Sequence, residues 1–128
     1  MRENAMTTAP ILIVDDNRDA CTVAARLLRS YGYEADVAYD GESALRLADQ
    51  KFYALAIIDY QMPDMNGVEL FRQMMHVQQD IIGVFLTGHT TIDVVYPAIE
   101  AGIVHVFAKP VDFNELLPLV EEYVGTPA

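Results

Sequence analysis

The sequence predicts an α/β fold, one parallel β-sheet with helices on both faces. Three observations predict it. Five short runs are rich in branched apolar residues, an amphipathic stretch of helical length follows each run, and Gly32, Gly67, Gly102 and Gly125 stand at the ends or joins. Strand and helix in alternation give parallel pairing, and a parallel sheet is covered on both faces, so its strands read as nearly continuous apolar runs. Right-handed crossovers then leave few topologies.

The first strand is "ILIV" at 11–14, followed by a helix at 18–31 on whose apolar face Cys21 reads as a small buried hydrophobe. "ADVAY" at 35–39 is the second strand, with a helix at 42–51, and "ALAII" at 54–58 is the third, with a helix at 68–78. "IIGVFL" at 81–86 leads to a helix at 91–101, and "VHVFA" at 104–108 to a last one at 113–124. That last helix opens on a capping-box-like pair, Asp112 followed by Glu115. Pro97 and Pro118 fall inside the fourth and fifth helices. Each deletes a backbone donor and crowds the preceding turn, at about 3 kcal/mol if unaccommodated, so these helices are expected to be kinked or to begin late.

A chain of 128 residues fits one domain, expected over 10–124, with a loose lead-in at 1–9 and a tail or linker start at 125–128. Hydrophobic residues make up 52%, and no apolar run approaches a membrane span. The net charge of −11 argues against gripping nucleic acid or an anionic membrane, because phosphate binding relies on clustered Lys and Arg. One cysteine forms no internal disulfide, and no export signal is visible in the first ten residues, so a reducing cytoplasm is the expected setting.

In a sheet of this kind the functional crevice lies outside the carboxyl ends of the strands. The first strand is followed by Asp15 and Asp16, the third by Asp59, the fourth by Thr87 and the fifth by Lys109. Lys109 is the only lysine or arginine after Arg72, and it sits between apolar residues and a proline, a poor place for a solvated charge. Three crowded carboxylates repel one another and either hold protons or bind a cation. All-oxygen ligation favours Mg²⁺ (or Mn²⁺), which is usually shared with a phosphate. A hydroxyl and an ammonium opposite such a metal suit a phosphoryl group of about −2 charge. Asp59 is then the best nucleophile, and an aspartyl phosphate the implied product.

These residues resemble the receiver domain of bacterial two-component response regulators. The resemblance covers residues 10–124 and rests on "VDD" at 14–16, "DYQMPDMNG" at 59–67, "LTG" at 86–88, "AG" at 101–102 and "KP" at 109–110, all in order. It implies a flavodoxin-like sheet of order 2-1-3-4-5 with five helices, and phosphotransfer to Asp59 from a sensor histidine kinase or phosphotransfer protein, with a downstream effector domain or protein as the other partner. It implies that Asp16, Asp59 and the backbone carbonyl of Gln61 ligate the metal directly and Asp15 through water. Thr87 and Lys109 would meet the phosphoryl oxygens, Gly88 would leave room for them, and Pro110 would follow a cis bond. Gln61 and His89 occupy the two positions that in this family tune hydrolysis of the phosphoaspartate. The family usually places Tyr or Phe where this chain has Val106, and strand alternation points Phe107 to the opposite face. The output face is expected around Val106, Pro97, Glu100 and Pro118.

Two other functions fit parts of the pattern. A Mg²⁺-dependent phosphatase of the haloacid-dehalogenase type also forms an aspartyl phosphate, but it needs D-x-D-x-T/V after the first strand, where this chain has "DDNRD". A degenerate receiver acting only as a docking module is favoured by Val106 and the two prolines and opposed by the intact acceptor, acid pair, Thr87 and Lys109. His76 and His105 read as surface or packed residues, and Met62, Met65, Met74 and Met75 as loop packing or core, since no spacing gathers them around a point.

Overall fold

The computed structural model describes residues 8–88 and 92–127. Five strands, β1 (Ile11–Val14), β2 (Ala35–Ala38), β3 (Leu55–Asp59), β4 (Ile82–Thr87) and β5 (His105–Ala108), pair in parallel in the order β2-β1-β3-β4-β5. Five helices, α1 (Arg18–Ser30), α2 (Gly41–Gln50), α3 (Gly67–Val77), α4 (Ile92–Ala101) and α5 (Phe113–Val124), make the crossovers. Each expected element is present, and the flavodoxin-like order is the one observed. No helix among the described residues is long and apolar enough to cross a membrane.

Burial follows strand alternation. Leu12, Val14, Ala56, Ile58 and Phe85 face one layer with Ala44 and Ala48 of α2, Leu70, Phe71 and Met74 of α3, and Ala98 of α4. Ile11, Ile13, Leu55, Ile57, Val84 and Phe107 face the other, with Cys21, Ala25 and Leu28 of α1 and Leu116 and Val120 of α5. Val106 packs with the first layer and Phe107 with the second, so the neighbouring aromatic does turn to the opposite face.

Helix starts are set by short polar side chains. Asn17, Asp40, Asn66 and Asp112 are N-caps whose side chains accept from the backbone N–H of Ala20, Ser43, Glu69 and Asn114. Two strand ends matter for the site. Asp59 and Thr87 are the last residues of their strands, because the ladder continues past the apolar run: Asp59 pairs with Leu86 and Thr87 with Ala108. The two prolines lie within their helices. α4 starts at Ile92 and α5 at Phe113, with Pro97 and Pro118 inside them, so neither helix begins late. The carbonyls of Asp93 and Asn114, four residues earlier, receive no N–H from these prolines.

Gly83 is the tightest point of the sheet. A Cβ there would lie 2.4 Å from Phe71 Cε1, 2.7 Å from Phe71 Cδ1 and 2.9 Å from Ile103 Cδ1. Phe71 is fully buried and has nowhere to swing. Gly83→Ala is therefore expected to destabilise the fold by about 3 kcal/mol, the upper part of the range for overpacking. Urea unfolding checks it, and an unchanged midpoint would contradict the packing described.

Candidate functional site

The parallel order brings the carboxyl ends of β1, β3, β4 and β5 side by side, and the chain places a polar residue at each. Asp15 continues β1, its N–H donating to the Ala38 carbonyl at 3.1 Å, and Lys109 follows β5, its N–H donating to the Thr87 carbonyl at 2.8 Å. Asp15, Asp59 and Thr87 are the polar residues buried among those described, while Asp16 is exposed. Carboxylate oxygens of Asp15, Asp16 and Asp59 lie within 4.8 Å of one another. Lys109 Nζ stands 3.2 Å from Asp59 Oδ2 and 3.4 Å from Asp15 Oδ2. The isolated lysine is thus the counter-charge of two buried carboxylates.

One ammonium does not neutralise the cluster. Burial raises the Asp59 carboxyl above the usual range and the nearby Asp15 charge raises it further, while Lys109 and the Gln61 N–H, 3.3 Å from Oδ1, pull it back only in part. For Lys109 burial acts to lower the pKa, but the bond to Asp59 and the charges of Asp15 and Asp59 outweigh it, so the group is held charged. Cys21 next door is pushed up to about 11 by burial and by Asp15, and its Sγ donates to the Asp15 carbonyl at 3.2 Å. It is a protonated, packed thiol at neutral pH, in keeping with its reading as a small hydrophobe.

The donor set fits a hard divalent cation. Three carboxylates converge, all their donors are oxygen, and the charge left over after Lys109 is negative. Gln61 is exposed and forms an isolated bridge with Asn66. A Cβ on Gly88 would meet nothing within 4 Å among the described residues, so its lack of a side chain is not imposed by protein packing. The Lys109–Pro110 bond is cis, as expected. His89 lies outside the described residues. Val106, Pro97, Glu100 and Pro118 lie on β5, α4 and α5 outside the cluster of polar side chains, and His76 and His105 are exposed.

Two features next to the cluster were not foreseen. The Arg18 guanidinium stacks over the Tyr39 ring at 4.1 Å, joining the start of α1 to the end of β2. A groove of about 570 Å³ runs from Asp15 and Lys109 along Val23 and Leu27 of α1 to Val111 and Phe113. Neither has a local sequence signal, because each pairs residues that only the sheet order makes neighbours.

The sequence model of the response regulator receiver domain matches residues 11–121. The chain is 30% identical over 112 residues to the transcriptional regulatory protein ZraR of Salmonella typhimurium, covering 88% of this chain and 25% of that protein. It therefore spans about a quarter of the length of that relative. Among solved structures, a CheY-like response regulator receiver domain protein from Methanospirillum hungatei superposes with a TM-score of 0.86 at 28% identity, covering 91% of this chain and 93% of that one. A response regulator from Burkholderia pseudomallei, with a phosphorylated aspartic acid, calcium ion and citrate, superposes with a TM-score of 0.80 at 27% identity, covering 85% and 64%.

Proposed function

The chain belongs to the response regulator receiver domain family, and from that premise we propose that it is a phosphorylation-activated switch whose acceptor is Asp59. The observation that carries this reading is the buried Asp59 carboxylate, with Lys109 Nζ at 3.2 Å on one side and the Asp15 and Asp16 carboxylates within 4.8 Å on the other. The Burkholderia structure, with its phosphorylated aspartic acid and calcium ion, supports it.

An Asp59 carboxylate oxygen attacks the phosphorus of a phosphohistidine on a sensor histidine kinase or phosphotransfer protein. The new P–O bond forms as the P–N bond breaks, and the imidazole nitrogen keeps the electron pair and takes up a proton. Asp15, Asp16, Asp59 and the Gln61 carbonyl would hold Mg²⁺ or Mn²⁺. When bound, such a cation offsets the negative charge gathered between carboxylates and phosphoryl oxygens. Lys109 pairs with one phosphoryl oxygen and Thr87 hydrogen-bonds another. Gln61 and His89 tune the later hydrolysis, which leaves the domain a switch with a lifetime rather than an enzyme with an external substrate.

Incubation with a small acyl phosphate and Mg²⁺ tests the reading. A stable, acid-labile adduct on Asp59 supports the switch. Turnover of added phosphoesters would favour the phosphatase, and no reaction the docking module.

The output side also differs from a self-pairing surface. Ile92, Tyr96 and Ile99 on α4 are 72%, 57% and 63% exposed, spaced to share one face, while Val94, Ala98 and Ala101 fill the inner face. Asp93 and Glu100 flank them, and residues 90–124 hold no Lys or Arg except Lys109. Two such faces repel, so phosphorylation is expected to leave the chain without a symmetric dimer through α4, β5 and α5, and the face suits a basic or apolar partner. Sedimentation of the phosphoryl-mimic form at low salt checks this. A compact dimer lost on Glu100 or Glu121 substitution would contradict it.

A further inference from the structure

We infer that Asp64 is a positioning residue for the cation site: its carboxylate hooks the loop after Asp59 onto the N-terminus of α2 and so holds Gln61 in register with Asp59. The inference rests on the phosphoacceptor reading above. The Gly41 N–H points between the two Asp64 oxygens, at 3.1 Å from Oδ2 and 3.3 Å from Oδ1. Asp40, the local cap, serves the Ser43 N–H at 2.7 Å instead. Two orphan donors of one helix end are therefore satisfied by two carboxylates, one of them brought in from another loop.

The loop that Asp64 anchors is already closed at its base. The Gly67 N–H donates to the Tyr60 carbonyl at 2.8 Å, Gln61 and Asn66 form an antiparallel bridge, and the Gln61 N–H reaches Asp59 Oδ1 at 3.3 Å. With the base closed, movement at the exposed apex is carried to Gln61, because few backbone torsions are left to absorb it. Gly41 makes the approach possible: a Cβ there would lie 3.3 Å from Asp64 Oδ2 and 3.4 Å from Met65 Sδ. A group that only orients a metal ligand commonly governs affinity tenfold or more.

Asp64→Ala and Asp64→Asn remove the same charge, but only Asn keeps an oxygen for the Gly41 N–H. In the metal-free chain, amide hydrogen exchange at Gly41 is expected to quicken in the Ala variant and stay near wild type in the Asn variant. Calorimetric titration with Mg²⁺ is expected to show about tenfold weaker binding in Asp64→Ala and binding within about twofold of wild type in Asp64→Asn. Equal affinity in Asp64→Ala and wild type overturns the inference, and so does an Asn variant as weak as the Ala variant, which would assign the effect to charge. A wild-type chain that takes no Mg²⁺ overturns the cation reading and this inference with it.

Discussion

Asp59→Asn is expected to take up no phosphoryl label from an acyl phosphate in Mg²⁺, a loss on the order of 10³-fold or more, because an amide oxygen does not replace the attacking carboxylate. The neighbours do not substitute for it. Asp15 is as buried as Asp59, but it follows β1, whereas Asp59 ends β3, the strand between β1 and the β4 and β5 ends that carry Thr87 and Lys109. Asp16 is exposed. Mass spectrometry after borohydride trapping reads the site directly, and label retained on Asp15, Asp16 or His89 would refute the assignment. Wild type in chelator is expected to lose most of its labelling as well.

The same variant separates function from stability. The folded-state pKa of Asp59 is raised, so the folded chain holds this proton more tightly than the unfolded chain does. The penalty is absent below the ordinary carboxylate pKa and develops as pH rises toward and through the folded value. Burial and the Asp15 charge outweigh Lys109 in setting it, so without metal an ionised Asp59 is a net cost to the fold. Asp59→Asn is accordingly expected to unfold at a higher urea concentration than wild type in chelator at pH 7. The gap should narrow on acidification and on adding Mg²⁺. A variant less stable than wild type under these conditions would mean that the ion pair with Lys109 dominates.

Most of the sheet was legible because apolar runs and strand burial coincide: β1 and β3 are buried along their whole length. The polar strand ends were legible for the opposite reason, since a carboxylate behind a fully buried run has little choice but a crevice. At Asp59 and Thr87 the hydrogen-bond ladder continues one residue past the point where hydrophobicity stops. What stayed hidden was contact between segments distant in sequence. Tyr53, which precedes the third apolar run, is fully buried and its hydroxyl donates to Asp36 at 2.7 Å, beside Lys51 at 2.9 Å from the same carboxylate. Asp64 lies in the loop after Asp59, and only the sheet order brings Gly41 beside it. Local pattern names the residue at a strand end, but only the fold names what it touches.

Lys109→Ala is expected to dissociate phosphoryl uptake from its consequence. The attacking oxygen, the acid pair and Thr87 are all left in place, so Asp59 still accepts label, more slowly for want of the ammonium at 3.2 Å. On the proposed reading, what is lost is a fixed cation that would change partner, from the Asp59 and Asp15 carboxylates in the present arrangement to a phosphoryl oxygen after transfer. Because the Lys109 N–H also donates to the Thr87 carbonyl at 2.8 Å, that change is tied to the end of β4 and through it to the segment leading into α4. Amide chemical shifts of α4 are therefore expected to stay near their unphosphorylated positions when the variant is loaded with a phosphoryl mimic. Removing one positive charge from beside the acid pair should also tighten Mg²⁺ binding, since like charges a few ångströms apart repel. These two effects have opposite signs, weaker response and stronger metal binding, and no general loosening of the fold produces both. A full α4 response in the variant would remove Lys109 from the switch and leave it a structural counter-ion.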